Sequence, residues 1–247
     1  MSELAAKKTP IAPTDLEAAL TSAWLAKFGS DPPTNAIAVL MSQSALETGS
    51  WQSCVCYNLG NVKASTNAND HCFFTTWENM SASQIAAYVA ASTPDAPVRE
   101  VSPTKAVFGP RHPVACFRAF GSLTEGAAFY LNFLATHYSA AWAFVLTGDI
   151  FGFNHALKAH GFYSADESAY LSGLCRMFDS YGTPALKDMS EISNALASLG
   201  YDTTVIGKAV GCFQAASGLV VDNTAGPMTR AKLRVALAAS PPPPLAA

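Results

Sequence analysis

The chain has 247 residues, of which 50% are hydrophobic and 13% are charged, and its formal net charge is −3. This composition is typical of a folded globular protein and excludes an intrinsically disordered chain. The absence of a basic block argues against nucleic-acid binding, and no apolar run reaches the roughly 18 residues that a membrane span requires. The N-terminal residues lack the apolar segment of a secretory signal peptide, so we expect synthesis in the cytoplasm and no membrane partner.

The first predicted element is a helix over Asp15–Phe28. Thr14 and Glu17 have the spacing of a capping box, and Gly29 follows as a helix stop. We expect residues 1–13, which precede this helix, to form a loose tail.

A second predicted helix begins near Ile37 and ends at Gly49, with Glu47 in its last turn. The negative end of the helix dipole and partial burial at the edge of the apolar stripe both disfavour an ionised carboxyl group. The pattern therefore predicts a raised pKa for Glu47, which is what a general acid requires. The alternative is a solvated surface glutamate.

Residues 50–120 differ in composition from the helical segment before them, since they contain many turn residues and short β-prone runs. Cys72–Trp77 and Val114–Phe120 are predicted to be short strands, and Gln84–Ala91 is predicted to be a short helix. The proline-rich stretch Ser92–Pro113 is expected to be irregular.

Three of the six cysteines flank one loop: Cys54, Cys56 and Cys72, with His71 beside the last. Their spacing differs from that of common structural zinc sites, so we predict no metal and no cofactor. A disulfide from Cys72 to Cys54 or Cys56 is expected if the protein works in oxidising surroundings, and free thiols otherwise. The remaining helical cysteines, Cys175 and Cys212, are expected to be buried.

The chain becomes helical again from Ser122, which forms a predicted capping box with Glu125. The apolar residues of this helix recur at helical spacing: Leu123, Ala127, Tyr130, Leu131 and Leu134. Core packing is the favoured interpretation of most aromatic residues in this part of the chain. Three further helices are predicted, at Ala140–Leu146, at Ile150–His160 and, after a capping box of Ser164 and Glu167, over the run that contains Tyr170 and Phe178.

Gly182–Pro184 marks a predicted boundary, after which three short helices follow. Two of them are Glu191–Leu199 and Val205–Ala216, which are stopped by glycines, and the third has Pro227 at its first position. Pro241–Pro244 is expected to form a stiff polyproline tail.

Four segments resemble, in order, the motifs of one enzyme family. Ser44–Trp51 and Tyr57–Ala64 are similar to the signature of the glucosaminidases of glycoside hydrolase family 73, which are lysozyme-like peptidoglycan hydrolases. Phe117–Gly126 and Leu157–Tyr170 resemble the distal helices of that family. The resemblance covers residues 35–181 and implies a lysozyme-like α+β domain with a small β-like lobe.

This resemblance also implies roles for individual residues. Glu47 corresponds to the acid, and Glu78 to a base or a water-positioning group, with Asp70 and Glu100 as alternatives. Tyr170 and Tyr163 lie near the family's distal aromatic position, where a phenol can steady positive charge, although core packing is an equal alternative. The implied substrate-binding residues are Trp51, Tyr57, Asn58, Asn61 and Tyr163, with the two asparagines orienting acetamido groups and Trp51 displaced by one position from the family pattern.

The last third of the chain resembles a second family. Leu199–Tyr201, Ala209–Gln214 and Asp222–Arg230 are similar to the three-helix peptidoglycan-binding domain of cell-wall hydrolases. Asn223 stands where that family usually has glycine, which is tolerable because asparagine also adopts the left-handed conformation.

These resemblances together predict a mainly α protein that cleaves the peptidoglycan glycan, with the binding module raising the local substrate concentration. A β-N-acetylglucosaminidase is favoured, then a muramidase or a lytic transglycosylase. The expected setting is a phage endolysin or a particle-borne lysin, and the alternative is a non-catalytic wall-binding component of a virion or injection machine with other such proteins as partners. The predicted parts are a tail (1–13), a glucosaminidase domain (14–183), a linker (184–189), a peptidoglycan-binding domain (190–238) and a Pro-rich tail (239–247).

Overall fold

The computed structural model describes residues 3–66 and 70–239, a portion of the chain that is mainly α-helical. This confirms the mainly α class predicted from the sequence, while the predicted polyproline tail at Pro241–Pro244 lies outside the described residues. None of the helices in this portion is long and apolar enough to cross a membrane. The helices are α1 (Pro13–Phe28), α2 (Ala36–Thr48), α3 (Ala82–Ala90), α4 (Leu123–His137), α5 (Ser139–Thr147), α6 (Ile150–Ala159), α7 (Glu167–Tyr181), α8 (Met189–Ser198), α9 (Ile206–Ala216) and α10 (Pro227–Ala239).

The strands form two small antiparallel sheets. In one sheet the first strand pairs with the last, and in the other the order is second, fourth, third. In chain order the strands are β1 (His71–Phe73), β2 (Thr76–Asn79), β3 (Val98–Ser102), β4 (Lys105–Phe108) and β5 (Cys116–Arg118).

The proline-rich stretch Ser92–Pro113 contains the β3–β4 hairpin, so the expectation of an irregular segment is wrong. Its prolines lie outside the two strands, where a missing N–H breaks no ladder bond. Val98, Ala106 and Phe108 are buried on one sheet face, where Ile85 of α3 packs against them. This alternating burial is the physical reason for the hairpin.

The N-terminal segment is not a loose tail over residues 3–12. The Leu4 amide donates to the His71 carbonyl at 2.8 Å, and the Cys56 amide donates to the Lys7 carbonyl at 2.9 Å. The segment therefore lies along the small sheet as an added strand-like edge.

The predicted capping box at the start of α1 is also wrong, because the helix begins at Pro13, two residues before the predicted Asp15, and Thr14 lies inside it. Proline is favoured at the first helical position, where no hydrogen bond is lost. The end of α1 follows the prediction, since Gly29 has a φ of 69°.

The described residues divide into two compact units. The first contains the residues up to Leu16 together with Glu47–Tyr130, and the second contains Glu17–Leu46 together with the residues from Leu131 onward. The division falls inside α1, α2 and α4, so each unit is built from segments distant in sequence. The domain boundaries predicted from the sequence stay predictions.

All six cysteines lie in the described portion and are free thiols. In the first unit, Cys56 and Cys72 belong to one buried cluster with Phe117. Burial and the neighbouring Cys56 raise the pKa of Cys72 to about 12. Of the two cysteines expected to be buried in helices, Cys175 is buried, whereas Cys212 is exposed on α9.

Side chains cap the N-terminal ends of α4 and α7. The Glu125 amide donates to Ser122 Oγ at 3.2 Å, so Ser122 caps α4 as expected. The cap of α7 is Asp166, whose Oδ1 accepts from the Ala169 amide at 3.0 Å, so the predicted box from Ser164 to Glu167 is wrong.

The last three helices share a hydrophobic cluster within the second unit. Asp188 caps α8 in a capping box with Glu191, Pro227 begins α10, and Asn223 takes the left-handed conformation with a φ of 58°. The cluster consists of Leu186, Ile192, Ala195, Leu196, Ala209, Val210, Phe213, Ala225 and Leu233.

A charged group joins α7 to α10. The carboxylate of Asp179 accepts from Arg230 Nε at 2.8 Å and from Arg234 Nη1 at 2.9 Å. The Arg234 side chain has no solvent exposure, and its Nε also donates to the Pro184 carbonyl at 2.7 Å. Burial opposes ionisation of Asp179, but the hydrogen bonds from both arginines outweigh it and lower its pKa.

Candidate active site

The C-terminal end of α2 reverses the chain sharply just after Glu47. Gly49, Ser50 and Trp51 all have positive φ, at 58°, 52° and 64°. The Trp51 amide donates to Thr48 Oγ1 at 3.2 Å, which satisfies part of the turn. Left-handed backbone at two consecutive non-glycine residues is unfavourable by itself, so the surrounding contacts must hold this turn in place.

Glu47 is half-buried at this turn. Its backbone carbonyl accepts a hydrogen bond from Asn61 Nδ2, which joins the helix end to the loop that contains Asn61. The structure therefore places Glu47 and Asn61, two of the predicted site residues, next to each other.

Tyr130 in α4 lies close enough to Glu47 for the acidic side chain to disfavour the ionised form of the phenol. Burial, and secondly the charge of Glu47, raise the pKa of the Tyr130 phenol well above its usual range. This phenol keeps its proton at neutral pH and remains a hydrogen-bond donor. Tyr130 is not among the site residues predicted from the sequence, because its helical spacing favours a core position.

Asn58, a predicted substrate-binding residue, uses its side-chain amide in hydrogen bonds within the protein, and its contact with a substrate stays a prediction. Its Nδ2 donates to the carbonyls of Val62 and Arg118 at 3.0 Å each, and its Oδ1 accepts from the Val62 amide at 2.9 Å. Only 2% of Asn58 is exposed, so its amide is used inside the protein and fixes the loop that leads to Asn61.

Trp51, another predicted substrate-binding residue, is 1% exposed, so little of its ring faces solvent, and a substrate contact by it stays a prediction. Tyr57 is half-buried, and its amide donates to Thr9 Oγ1 at 2.9 Å. Trp51 supports the end of α2 from inside, whereas a substrate contact by Tyr57 stays a prediction.

Glu78, the predicted second carboxylate, lies on β2 and is paired with a lysine. Lys63 Nζ donates to Glu78 Oε1 at 2.6 Å and to the Val114 carbonyl at 2.7 Å, and it lies 3.9 Å from the centre of the Phe117 ring. The Glu78 side chain is 35% exposed. Both charged groups line an open depression of about 550 Å³ in the first unit.

The two predicted tyrosines lie in the second unit and stack on each other. The ring centres of Tyr163 and Tyr170 are 3.7 Å apart, with an angle of 8° between the planes. Tyr163 OH donates to Asn154 Oδ1 at 2.9 Å. Burial, and secondly the charge of Glu167, raise the pKa of Tyr163 to about 12, so this phenol is neutral near pH 7. Whether either tyrosine contacts a substrate stays a prediction.

A metal centre has no support in the described portion of the chain. There, no group of three or more His, Cys, Asp and Glu side chains has an arrangement that holds a metal ion. Of the two alternative carboxylates, Asp70 precedes β1, and Glu100 is exposed on β3, where it pairs with Ala106, the residue that also pairs with Glu78.

Comparison with known proteins gives one structural similarity. No family model matches the sequence, and no curated protein matches it either. Among solved structures, the chain is similar to the glycoside hydrolase domain of FlgJ from Salmonella typhimurium, with 23% identity over 77% of this chain and 98% of that chain, and a TM-score of 0.38. Similarity at this level does not decide function, which must be argued from the residues.

Proposed function

We propose that this protein is a glycoside hydrolase that cleaves the glycan strands of peptidoglycan, with Glu47 as the general acid. The observation that supports this most directly is the position of Glu47: half-buried at the turn that ends α2, bound through its carbonyl by Asn61 and next to the protonated phenol of Tyr130. A carboxyl group that the fold holds at a fixed, half-buried position suits proton transfer to a leaving oxygen.

The motif resemblance supplies the substrate class. The segments Ser44–Trp51 and Tyr57–Ala64 resemble the signature of family 73 glucosaminidases, and these are the segments joined by the bond from Asn61 to Glu47. Cleavage by a β-N-acetylglucosaminidase is therefore the favoured reaction, and a muramidase is the next. The helices α8–α10 carry the motifs that resemble a peptidoglycan-binding domain, which we assign to wall anchoring.

Glu78 is assigned as the second carboxyl group, acting as a base or positioning a water molecule. Glu78 lines the open depression of the first unit, where its carboxyl group is reachable from solvent. Its ion pair with Lys63 favours the second candidate function, a wall-binding protein that does not cleave, because Lys63 occupies a carboxyl oxygen that a base would use.

Product analysis tests the proposed function. Purified peptidoglycan sacculi are incubated with the protein, and the released fragments are reduced with borohydride and identified by mass spectrometry. New reducing ends at N-acetylglucosamine support the favoured reaction, and ends at N-acetylmuramic acid indicate a muramidase. An absence of both reducing ends and anhydro products excludes glycan cleavage.

Two variants separate cleavage from binding. Glu47→Gln should stop the clearing of a sacculus suspension while the protein still sediments with sacculi. The matched control is Glu17→Gln, which makes the same chemical change at an exposed position of α1 and should clear like the parent. If Glu47→Gln clears as fast as the parent, Glu47 is not the acid. If neither protein clears but both sediment with sacculi, the binding function replaces the proposed one.

A further inference from the structure

The three-stranded sheet has one face packed against α3 and one face in solvent. Val98, Ala106 and Phe108 belong to the packed face. Because side chains alternate along a strand, the residues between them point to solvent. Trp77 pairs with Val107, and Val107 pairs with Arg99, so these three form one row across the solvent face.

Trp77 is unusual among the tryptophans of this chain. It is 55% exposed, whereas Trp24, Trp51 and Trp142 are 2%, 1% and 8% exposed. Lys105 Nζ lies 3.7 Å from the Trp77 ring centre, a cation–π contact that steadies the indole. An exposed indole that a neighbouring side chain holds in place offers a flat apolar face to a ligand at low cost in side-chain entropy.

The charges on the two faces of this sheet differ in sign. Lys105 and Arg99 belong to the solvent face. The acidic strand residues Glu78 and Glu100 both pair with Ala106 and so belong to the opposite alternation. The solvent face therefore combines the aromatic ring of Trp77 with two cations, and the acidic side chains of the strands belong to the other face.

We propose that this solvent face binds a carboxylate-bearing peptidoglycan strand at a site separate from Glu47, an inference that rests on the proposed function. The apolar face of a sugar ring packs on the Trp77 indole, and Arg99 and Lys105 pair with carboxylates of the stem peptide. Trp77 and Arg99 are two strand spacings apart, about 10 Å, so a single disaccharide-peptide reaches both. The site would hold an insoluble strand against the first unit.

The fluorescence of Trp77 provides a direct test. Since the other three tryptophans are buried, iodide quenching of the intact chain reports mainly on Trp77. The experiment uses the Glu47→Gln chain, which prevents cleavage, and titrates a soluble disaccharide-tetrapeptide muropeptide. The expected result is a saturable fall in iodide quenching by about half, because the bound sugar covers the exposed part of the indole.

Variants and a second ligand identify the contacts. Arg99→Ala should weaken muropeptide binding by up to about fivefold, as expected for an exposed ion pair, and the uncharged chitotetraose should bind more weakly than the muropeptide. Trp77→Ala should reduce sedimentation with sacculi. The matched control is Val89→Ala, which shortens another exposed apolar side chain of the first unit and should sediment like the parent.

The outcomes distinguish this inference from the proposed function. Glycan cleavage by the parent without any protection of Trp77 overturns the inference and leaves the function standing. Protection of Trp77 without cleavage supports the surface and overturns the enzymatic proposal. Equal protection by polyglutamate, which carries carboxylates but no sugar, overturns the assignment of a glycan ligand.

Discussion

The two units of this protein accommodate buried polar groups in different ways. In the first unit, the neutral amide of Asn58 makes three hydrogen bonds to backbone groups. In the second unit, the charged groups of Asp179, Arg230 and Arg234 bond to one another. Because a carboxylate titrates and an amide does not, the stabilising contribution of Asp179 should be lost in acid, whereas that of Asn58 should not.

The largest effect is expected for Asp179→Asn. This change leaves the guanidinium of Arg234, which has no solvent exposure, without its ionic partner. Removing one member of a buried ion pair typically costs about 3 kcal/mol of the free energy of unfolding. Urea unfolding at pH 7 measures the loss, and the control is Asp95→Asn at an exposed turn, where we expect less than about 0.5 kcal/mol. A loss below about 1 kcal/mol would contradict a stabilising role for the charged group.

Asn58→Ala should have the next largest effect, about 2 kcal/mol, because the partly buried Val62 amide and Arg118 carbonyl lose the Asn58 side chain as a partner. The same variant should reduce catalysis, since the loop it fixes carries Asn61, which bonds to the Glu47 carbonyl. Chemical denaturation and wall clearing measure the two effects. Asn194→Ala, at an exposed position of α8, is the control and should leave both unchanged. Wild-type stability in Asn58→Ala would show that the amide bonds contribute nothing net.

The losses of unfolding free energy in Asp179→Asn and in Asn58→Ala should depend differently on pH. The pKa of Asp179 is lowered in the folded protein, so its contribution is fully present above its unfolded pKa of about 3.9 and disappears as the pH falls through the folded value. The difference in unfolding free energy between the parent and Asp179→Asn should therefore be constant above about pH 5 and narrow in acid. The difference for Asn58→Ala should stay constant over the same range. Parallel pH profiles for the two variants would remove the distinction between the units.

The smallest effect is on thiol reactivity, where no change in stability is involved. Burial raises the pKa of Cys54 to about 11 and that of Cys175 to about 12, so these thiols remain protonated and unreactive at pH 8. We expect Ellman's reagent to modify Cys212, the exposed thiol, rapidly in the native protein, and all six thiols after denaturation. In Cys212→Ser the rapid phase should vanish. A rapid phase that persists in this variant would mean that a buried thiol of either unit is accessible.

Local sequence signals predicted the helices well. Gly29 and Gly49 both adopt the left-handed conformation that a helix stop requires, and Pro227 begins α10 as expected. The N-terminal segment was missed because its partners, such as His71, are far away in sequence and no local pattern encodes such pairing. The β3–β4 hairpin is local, and it was missed because the prolines around its strands indicate an irregular segment.

The candidate site shows the same division. Glu47 was selected because a helix end and an apolar stripe are readable from the sequence. Asn58 and Trp51 lie at positions of the family motif but are nearly fully buried. Their burial follows from tertiary packing, which the spacing of residues in the sequence does not predict. Tyr130 was missed for the converse reason, since a core tyrosine and a tyrosine next to an acid have the same helical spacing.

The most direct test of the central claim, that Glu47 donates the proton to the leaving oxygen, compares two substrates of the Glu47→Gln variant. Cleavage of peptidoglycan should fall by about 10²- to 10⁴-fold, because its leaving group needs the proton. Release of dinitrophenolate from an activated chitooligosaccharide glycoside should fall by less than about tenfold, because that leaving group departs without a proton. An equal loss on both substrates, or no loss on either, would contradict the account.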